Sequence, residues 1–374
     1  MKVSLSHDWL NGMRGGEKCL EAIIRIFPDA EIYTLLHEPG AVSDAIESCR
    51  IHTSFIQKLP WGMSHYRYFL PLFPLAVSRF KTTGKDILIS VSHCAAKGIR
   101  KPGPSTMHIS YCLTPMRYAW LFFDAYFGHY PAPFKWVIRR MLKRMKRWDI
   151  ERNRDITHFI AISKHVQGRI RDFYGRESRV IYPPVDTEFF TPGEARREDR
   201  FLIVSSLVPY KRIDLAVEAF NVMRKKLIVI GEGPLRKQLE RKAGPTVQFL
   251  GSRSNEVIRD YYRTSSALVF PGEEDFGIVP VEAQACGAPV VALGRGGALE
   301  TVIPDETGVF FYEETPEGLK RAVERASAIA WRPDLIRRNA ERFSLDRFES
   351  EFRGALGELV GRGELVPGAR EGGP

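Results

Sequence analysis

The chain has 374 residues, 44% hydrophobic and 27% charged, a globular composition too long for one ordinary core and sufficient for two domains. Lys and Arg total 55 against 45 Asp and Glu, and the resulting charge of +10 favours an anionic partner: nucleic acid, acidic lipid or a phosphorylated compound. Five dispersed cysteines (Cys19, Cys49, Cys94, Cys112 and Cys286) have neither CxxC pairing nor metal-ligand spacing, which argues against a disulfide framework and for a reducing compartment.

The N-terminal "MKVSLSHDWLNG" lacks the apolar core of a signal peptide, and no apolar run is long enough to span a bilayer, so a cytoplasmic location is expected. "KVSLS" predicts a strand, followed by the helix "GGEKCLEAIIRIF" and the strand "AEIYTLL". Further strands are expected at "DILISVS", "MHISYCL" and "THFIAIS", the last leading into the helix "KHVQGRIRDFYG". "RVIYPPVDTEFF" reads as a strand entering a Pro-stiffened connection, which sets a domain boundary near residue 184. From residue 201 the rhythm is regular: "FLIVSS", "RIDLAVEAFNVM", "KLIVIGEG", "PLRKQLERKAG", "VQFLG", "SNEVIRDYYRTS", "ALVFPG", "VPVEAQACG" and "PVVALG". Short apolar runs alternating with segments of period 3.6 imply βα units around a parallel sheet. The expected architecture is therefore α/β, with two doubly wound Rossmann-like domains facing a cleft, at 1–184 and 185–345. A helix at 346–361 follows, with Ser344 as its cap, and the Gly/Pro-rich tail at 362–374 is expected to be disordered.

"VFPGEEDFGIVPVEAQACGAPVVA" (269–292) carries the chemistry. Glu274 is expected in the loop beyond a strand's carboxyl end. Pro280 suits the first turn of a helix, Glu282 is placed in that turn, and Gly287 ends it. Backbone N–H groups around Gly277, Ile278 and Val279 would form a partial positive pole suited to phosphate. A ligand with a sugar, a diphosphate and a ribose matches the order acid, amides, acid. The alternative is that Glu282 compensates the helix dipole and Glu274 is solvated.

The segment "EDFGIVPVEAQACGAPVVA" resembles the E-x7-E signature of glycosyltransferase family 4, retaining enzymes of the GT-B fold. "HDWLNGMRGGEKCLEAI", "TPMRYAW", "FIAISKHVQGRIRDFYGRESRVIYPPVD", "LVPYKRIDLAVEAF" and "VIGEGPLR" extend the resemblance over nearly the whole chain, toward the mannosyltransferase-like branch of bacterial surface polysaccharide assembly. The resemblance implies that the C-terminal helix returns to the N-domain, that Glu274 meets the donor sugar with the amides after Phe276 assisting, and that Glu282 holds the ribose. Lys211 would neutralise the departing diphosphate, with Arg212 sharing that work. Gly15 and Gly16 would let the backbone approach the phosphates. Gly231 and Gly233 would line the nucleotide pocket, and Arg253 would touch the base. Arg117 and Tyr118 are placed near the acceptor. No DxD motif occurs, so neither a metal nor any other cofactor is expected.

Two departures stand out. Ser206 occupies a position where relatives carry Arg, and Leu113 one where they carry a histidine that meets the donor sugar. His93 is a candidate substitute, or a structural histidine at a strand end. Asp8 either receives an acceptor hydroxyl or caps the following loop.

Residues 134–154 hold nine basic residues and two acids, and Phe134, Ile138, Met141, Met145 and Trp148 share one helical face. This helix either packs on its sheet with a solvated basic face or meets anionic lipid. Residues 59–80, rich in aromatics and prolines, form either a core-packed hairpin or an interfacial patch. A lipid-linked acceptor would account for both, giving a peripheral protein at the inner face of the cell membrane. The expected function is transfer of a sugar, mannose favoured, from a nucleotide diphosphate such as GDP to a saccharide acceptor. A nucleotide-sugar binder with little transfer is the alternative. A nucleic-acid binder is disfavoured because no recognition motif or stacking platform appears.

Overall fold

The structure is a computed structural model in which residues 2–82, 86–121, 123, 127, 128 and 130–361 are described, the side chains of Tyr118 and Val360 excepted. The Tyr118 side chain and the tail at 362–374 thus lie outside the described residues.

Continuous apolar runs become strands buried on both faces, as β4 (Ile87–Ser92) illustrates with all six residues buried. It joins β1 (Val3–His7), β2 (Glu31–Thr34), β3 (Ile51–Thr53), β5 (Met107–Cys112), β6 (His158–Ala161) and β7 (Ser178–Val180) in a sheet of order β3-β2-β1-β4-β5-β6-β7. The second sheet, β10-β9-β8-β11-β12-β13, comprises β8 (Glu198–Val204), β9 (Lys226–Ile230), β10 (Val247–Gly251), β11 (Ser265–Phe270), β12 (Val290–Leu293) and β13 (Gly308–Phe311). Every described pairing between these strands is parallel.

In each sheet the strand order reverses at one place: between β1 and β4, and between β8 and β11. At such switch points the connections leave in opposite directions and open a crevice beyond the carboxyl ends.

Eight helices carry or frame the cleft and the surfaces around it: α1 (Gly15–Ile26), α2 (Arg117–Trp120), α3 (Ala132–Asn153), α4 (Lys164–Tyr174), α5 (Ile213–Met223), α6 (Ile278–Ala285), α7 (Ala298–Thr301) and α8 (Leu345–Val360). The Ser344 hydroxyl caps α8 by accepting from Arg347 N at 3.3 Å. That helix returns to the first domain, where Phe348 and Phe352 pack their rings against Tyr111 of β5 at 5.8 and 6.1 Å. The far half of α3 is core: Leu142 and Met145 are buried, and Ile138, Met141 and Trp148 pack against the same cluster. Phe134 departs from the expected stripe. It is exposed with Trp136 and Val137 in the first turns, before the helix reaches the body of the domain.

Candidate active site

Sequence neighbours of both switch points supply the charged groups. In the second domain, the loop after β8 carries Lys211 and the loop after β11 carries Glu274, and the two side chains form an ion pair. Two glycines bring them together. A methyl at Gly272 would lie 2.7 Å from Lys211 Cα, so only a bare backbone permits this approach of the two loops. A methyl at Gly296 would lie 2.3 Å from Glu274 O; the next glycine, Gly297, donates its N–H to that same carbonyl at 2.8 Å. Arg212 closes the turn with a left-handed φ of 51°, a costly conformation for a non-glycine residue and one that clusters at functional sites. Its guanidinium is directed to Glu314 at 2.6 Å and not to Glu274.

Arg117, the first residue of α2, crosses from the first domain. Its Nε donates to Asp275 at 2.9 Å, its Nη1 donates to the Tyr210 hydroxyl at 3.1 Å, and its Nη2 lies 3.7 Å from Glu274. Arg169 of α4 grips the other oxygen of Asp275 and reaches Glu273 at 3.1 Å. Burial alone would raise the Asp275 carboxyl, yet the two guanidiniums outweigh it and hold it below the ordinary carboxylate range. Burial, then the Glu274 carboxylate, push the Tyr210 hydroxyl up to about 12. The same face is fastened by Ser163 Oγ, which donates to Asp275 O at 2.5 Å, and by Glu300 of α7, which accepts the Lys164 and His165 amides at 2.8 and 2.9 Å.

Glu282 lies in the second turn of α6, because that helix begins at Ile278; its placement in the first turn is corrected accordingly. It is buried, accepts from the Tyr262 hydroxyl at 3.1 Å, and takes a 2.7 Å hydrogen bond from Lys18 of α1 across the cleft. Gly277 is the residue before α6 and has φ 92°, a backbone that favours glycine. The Phe276 side chain is buried among Tyr182 and Phe343, so only its backbone is available to a ligand. Ile278 faces the first domain, where a methyl on Gly15 would sit 2.8 Å from its Cδ1; Val279 follows it, half-buried. A methyl on Gly16 would meet Leu113 at 2.8 Å and His7 at 3.3 Å.

Gly231 and Gly233 hold the β9 exit loop against the β8 exit loop, where methyls would lie 1.9 Å from Ser205 O and 2.4 Å from Leu207 O. Arg253 is exposed, bonded to Ser252 O at 3.0 Å, and is not brought to the charged cluster.

At the other switch point Asp8 is wholly buried. It accepts from the amides of His93, Cys94, Ala95 and Ala96 at 2.7–2.9 Å and from Ser92 Oγ at 3.0 Å. The loop so capped is the one after β4, not the one that follows Asp8 in the chain. Burial opposes ionisation of Asp8, but His93, His7 and the amides hold it below the usual range. His93 lies 3.2 Å from Asp8 with its ring edge-on to Trp9, and burial keeps it below the ordinary imidazole value.

Sequence reasoning missed Asp275, Tyr210, Arg169, Lys18 and Gly272 as site residues. Asp275 and Tyr210 adjoin residues it did select, and that adjacency was the available signal. Lys18 and Arg169 are distant in sequence from their partners and gave none.

Known proteins bear on this geometry. Residues 185–342 match the family model described as "Glycosyl transferases group 1". The chain is 34% identical over 215 residues to the D-inositol 3-phosphate glycosyltransferase of Geodermatophilus obscurus, covering 47% of each protein. It is 27% identical over 266 residues to the GDP-mannose-dependent alpha-(1-6)-phosphatidylinositol monomannoside mannosyltransferase of Mycolicibacterium smegmatis, covering 63% of this chain and 66% of that protein. The chain spans about half the length of the first curated relatives it matches. Anabaena HepE in complex with UDP and glucose superposes with a TM-score of 0.69 at 19% identity, over 96% of this chain and all of that one. The fold is GT-B. Its cleft, lying between two switch points, is where Lys211, Glu274, Arg117 and Asp275 converge.

Proposed function

We propose that this chain is a retaining glycosyltransferase that moves a sugar, with mannose favoured, from a nucleotide diphosphate to a saccharide acceptor carried on a lipid. The observation that carries the reading is the Lys211–Glu274 pair at the β8/β11 switch point. Breaking a bond between an anomeric carbon and a diphosphate leaves positive charge on the sugar and additional negative charge on the leaving group. A preorganised cation at the diphosphate lowers that barrier. Lys211 is suited to the leaving group, and Glu274, released from it by the incoming phosphates, to the sugar hydroxyls. The neighbouring N-terminal turn of α6 offers amides to the same anion. Glu282 is suited to ribose hydroxyls once Lys18 yields or shares it. These roles require no metal and no other cofactor. Similarity to glycosyltransferases over the second domain supports the class, and the mannosyltransferase relative supports the choice of sugar.

The acceptor side is supported by the first domain's surface. Trp61, Phe134 and Trp136 are 76%, 63% and 64% exposed, and the segments bearing them pack into one hydrophobic cluster beside the basic face of α3. Such a mixture suits a peripheral position on anionic lipid.

A thermal-shift panel of nucleoside diphosphates and their sugars tests the reading, because stabilisation follows affinity. The expected result is stabilisation by one base series, with donor turnover lost in Glu274→Ala. A panel without any stabilising member would refute it.

A further inference from the structure

We propose that Arg117 is a positioning residue: from the first domain, it sets the geometry of the Lys211–Glu274 pair in the second. The inference rests on the proposed glycosyl transfer and adds to it a residue whose side chain is engaged by Asp275 and Tyr210.

The case is geometric. Asp275 follows Glu274 in the chain, and Tyr210 precedes Lys211. One guanidinium holds both neighbours, donating from Nε and Nη2 to Asp275 and from Nη1 to the Tyr210 hydroxyl, while Nη2 stays 3.7 Å from Glu274 itself. Its charge also lies over the Tyr210 ring, 5.3 Å from the centroid. A planar fork of five donors can serve these directions together, whereas an ammonium cannot. Asp275 is further pinned by Arg169 and, through its carbonyl, by Ser163. The loop holding Glu274 is therefore referenced to the first domain at several points, and Arg117 alone also reaches the segment that carries Lys211 among these contacts.

The sequence places Arg117 near the acceptor, and its side chain is engaged by the second domain. The consequence is that the two groups proposed to act on the donor are brought to register by the domain proposed to hold the acceptor. Displacing reacting groups by about 1 Å costs on the order of 100-fold in rate.

Arg169 remains to neutralise Asp275 when Arg117 is removed, so the variants are expected to fold. Arg117→Lys keeps the charge and loses the fork; Arg117→Ala loses both; Tyr210→Phe removes the hydroxyl that accepts from Arg117. The experiment measures kcat and donor KM for each, together with stabilisation by the nucleoside diphosphate. The expected result is kcat lower by about 100-fold in Arg117→Lys and Arg117→Ala, with donor KM and nucleotide stabilisation within about threefold of wild type. Tyr210→Phe should lose about 3- to 10-fold. Added guanidinium ion should restore part of the Arg117→Ala rate, and an alkylammonium of equal charge should not.

Arg117→Lys with wild-type kcat, or a loss appearing equally in nucleotide stabilisation, would overturn the positioning role while leaving glycosyl transfer intact. A wild-type protein that neither binds a nucleotide nor turns over a donor would refute the transferase reading, and this inference with it.

Discussion

Lys18 of the first domain donates to Glu282 of the second over 2.7 Å, with Glu282 buried and the lysine one-third exposed. Burial opposes the lysine's charge, but Glu282 outweighs it and raises the Lys18 pKa. Lys18→Met leaves a buried carboxylate with Tyr262 as its remaining hydrogen-bond donor among the described residues. It should destabilise the protein by about 1–3 kcal/mol. Adding Glu282→Gln should recover part of that loss, since removing both charges is gentler than removing one. Urea unfolding of the two variants checks the order.

Lys211→Ala removes the cation from the proposed leaving-group site. Its kcat should fall by about 100- to 1,000-fold, the usual cost of losing one preorganised electrostatic contact. The Lys211–Glu274 pair is nearly buried, so the variant also leaves Glu274 with Arg117 as its near cation. Steady-state kinetics on Lys211→Ala and Arg212→Ala should separate the two residues. Arg212, tied to Glu314, is expected to show the smaller loss.

His7 provides a pH prediction. It is fully buried; burial lowers its pKa, but Glu17, 3.6 Å away, and other partners raise it above 6.5. The folded state thus holds this proton more tightly than the unfolded chain does. The stabilisation is complete below pH 6.5 and is lost as pH rises through the elevated folded value. Glu17 runs the other way. Burial raises it, the His7 partner lowers it on balance, and its contribution is lost as pH falls below 4.5 through the depressed value. Urea midpoints measured from pH 5 to about 9 should decline on the alkaline side for wild type. His7→Gln should lack that component.

Gly231 has φ 137°, and a methyl there would lie 1.9 Å from Ser205 O. Gly231→Ala should cost at least about 2–4 kcal/mol, since both the backbone conformation and the space are wrong. Gly272→Ala meets Lys211 Cα at 2.7 Å and should instead separate the loops that carry Lys211 and Glu274. The expected contrast is a large drop in melting temperature for the first variant and a large drop in turnover for the second.

The proposed association with membranes rests on exposed aromatics beside basic residues. Among the described residues no helix is long and apolar enough to cross a membrane. Cosedimentation with anionic liposomes should occur at low salt, weaken with added salt, and fall further in Trp136→Ser. Equal recovery with neutral vesicles would remove the electrostatic component.

Much of this fold was legible because parallel strands and their covering helices impose two clean periods. β4, β8 and β11 announce themselves as apolar runs, and Pro280 with Gly287 brackets α6 within two residues. Short edge strands were harder. β3 has three residues, all half-buried, and β13 four, three of them buried, too few in either to establish a pattern. Within the site, Glu274 and Glu282 stood out as two acids flanking the start of a helix, whereas Lys211 was singled out by the family resemblance. Arg117's reach to Asp275, and Lys18's to Glu282, depend on how two domains meet, which no local window encodes. The displacement of Glu282 to the second turn has a local cause: the helix begins at Ile278, directly after the left-handed Gly277 and two residues ahead of Pro280.

Asp8 commits both of its oxygens to four successive amides and a hydroxyl. A carboxylate has about four lone-pair sites, so none is left over for an incoming molecule. The rim of the first sheet is consequently cast as a fixed template rather than a responsive one. Diversification of what this rim accepts would have to proceed through Trp9, His93 and their neighbours, while the aspartate beneath them stays silent.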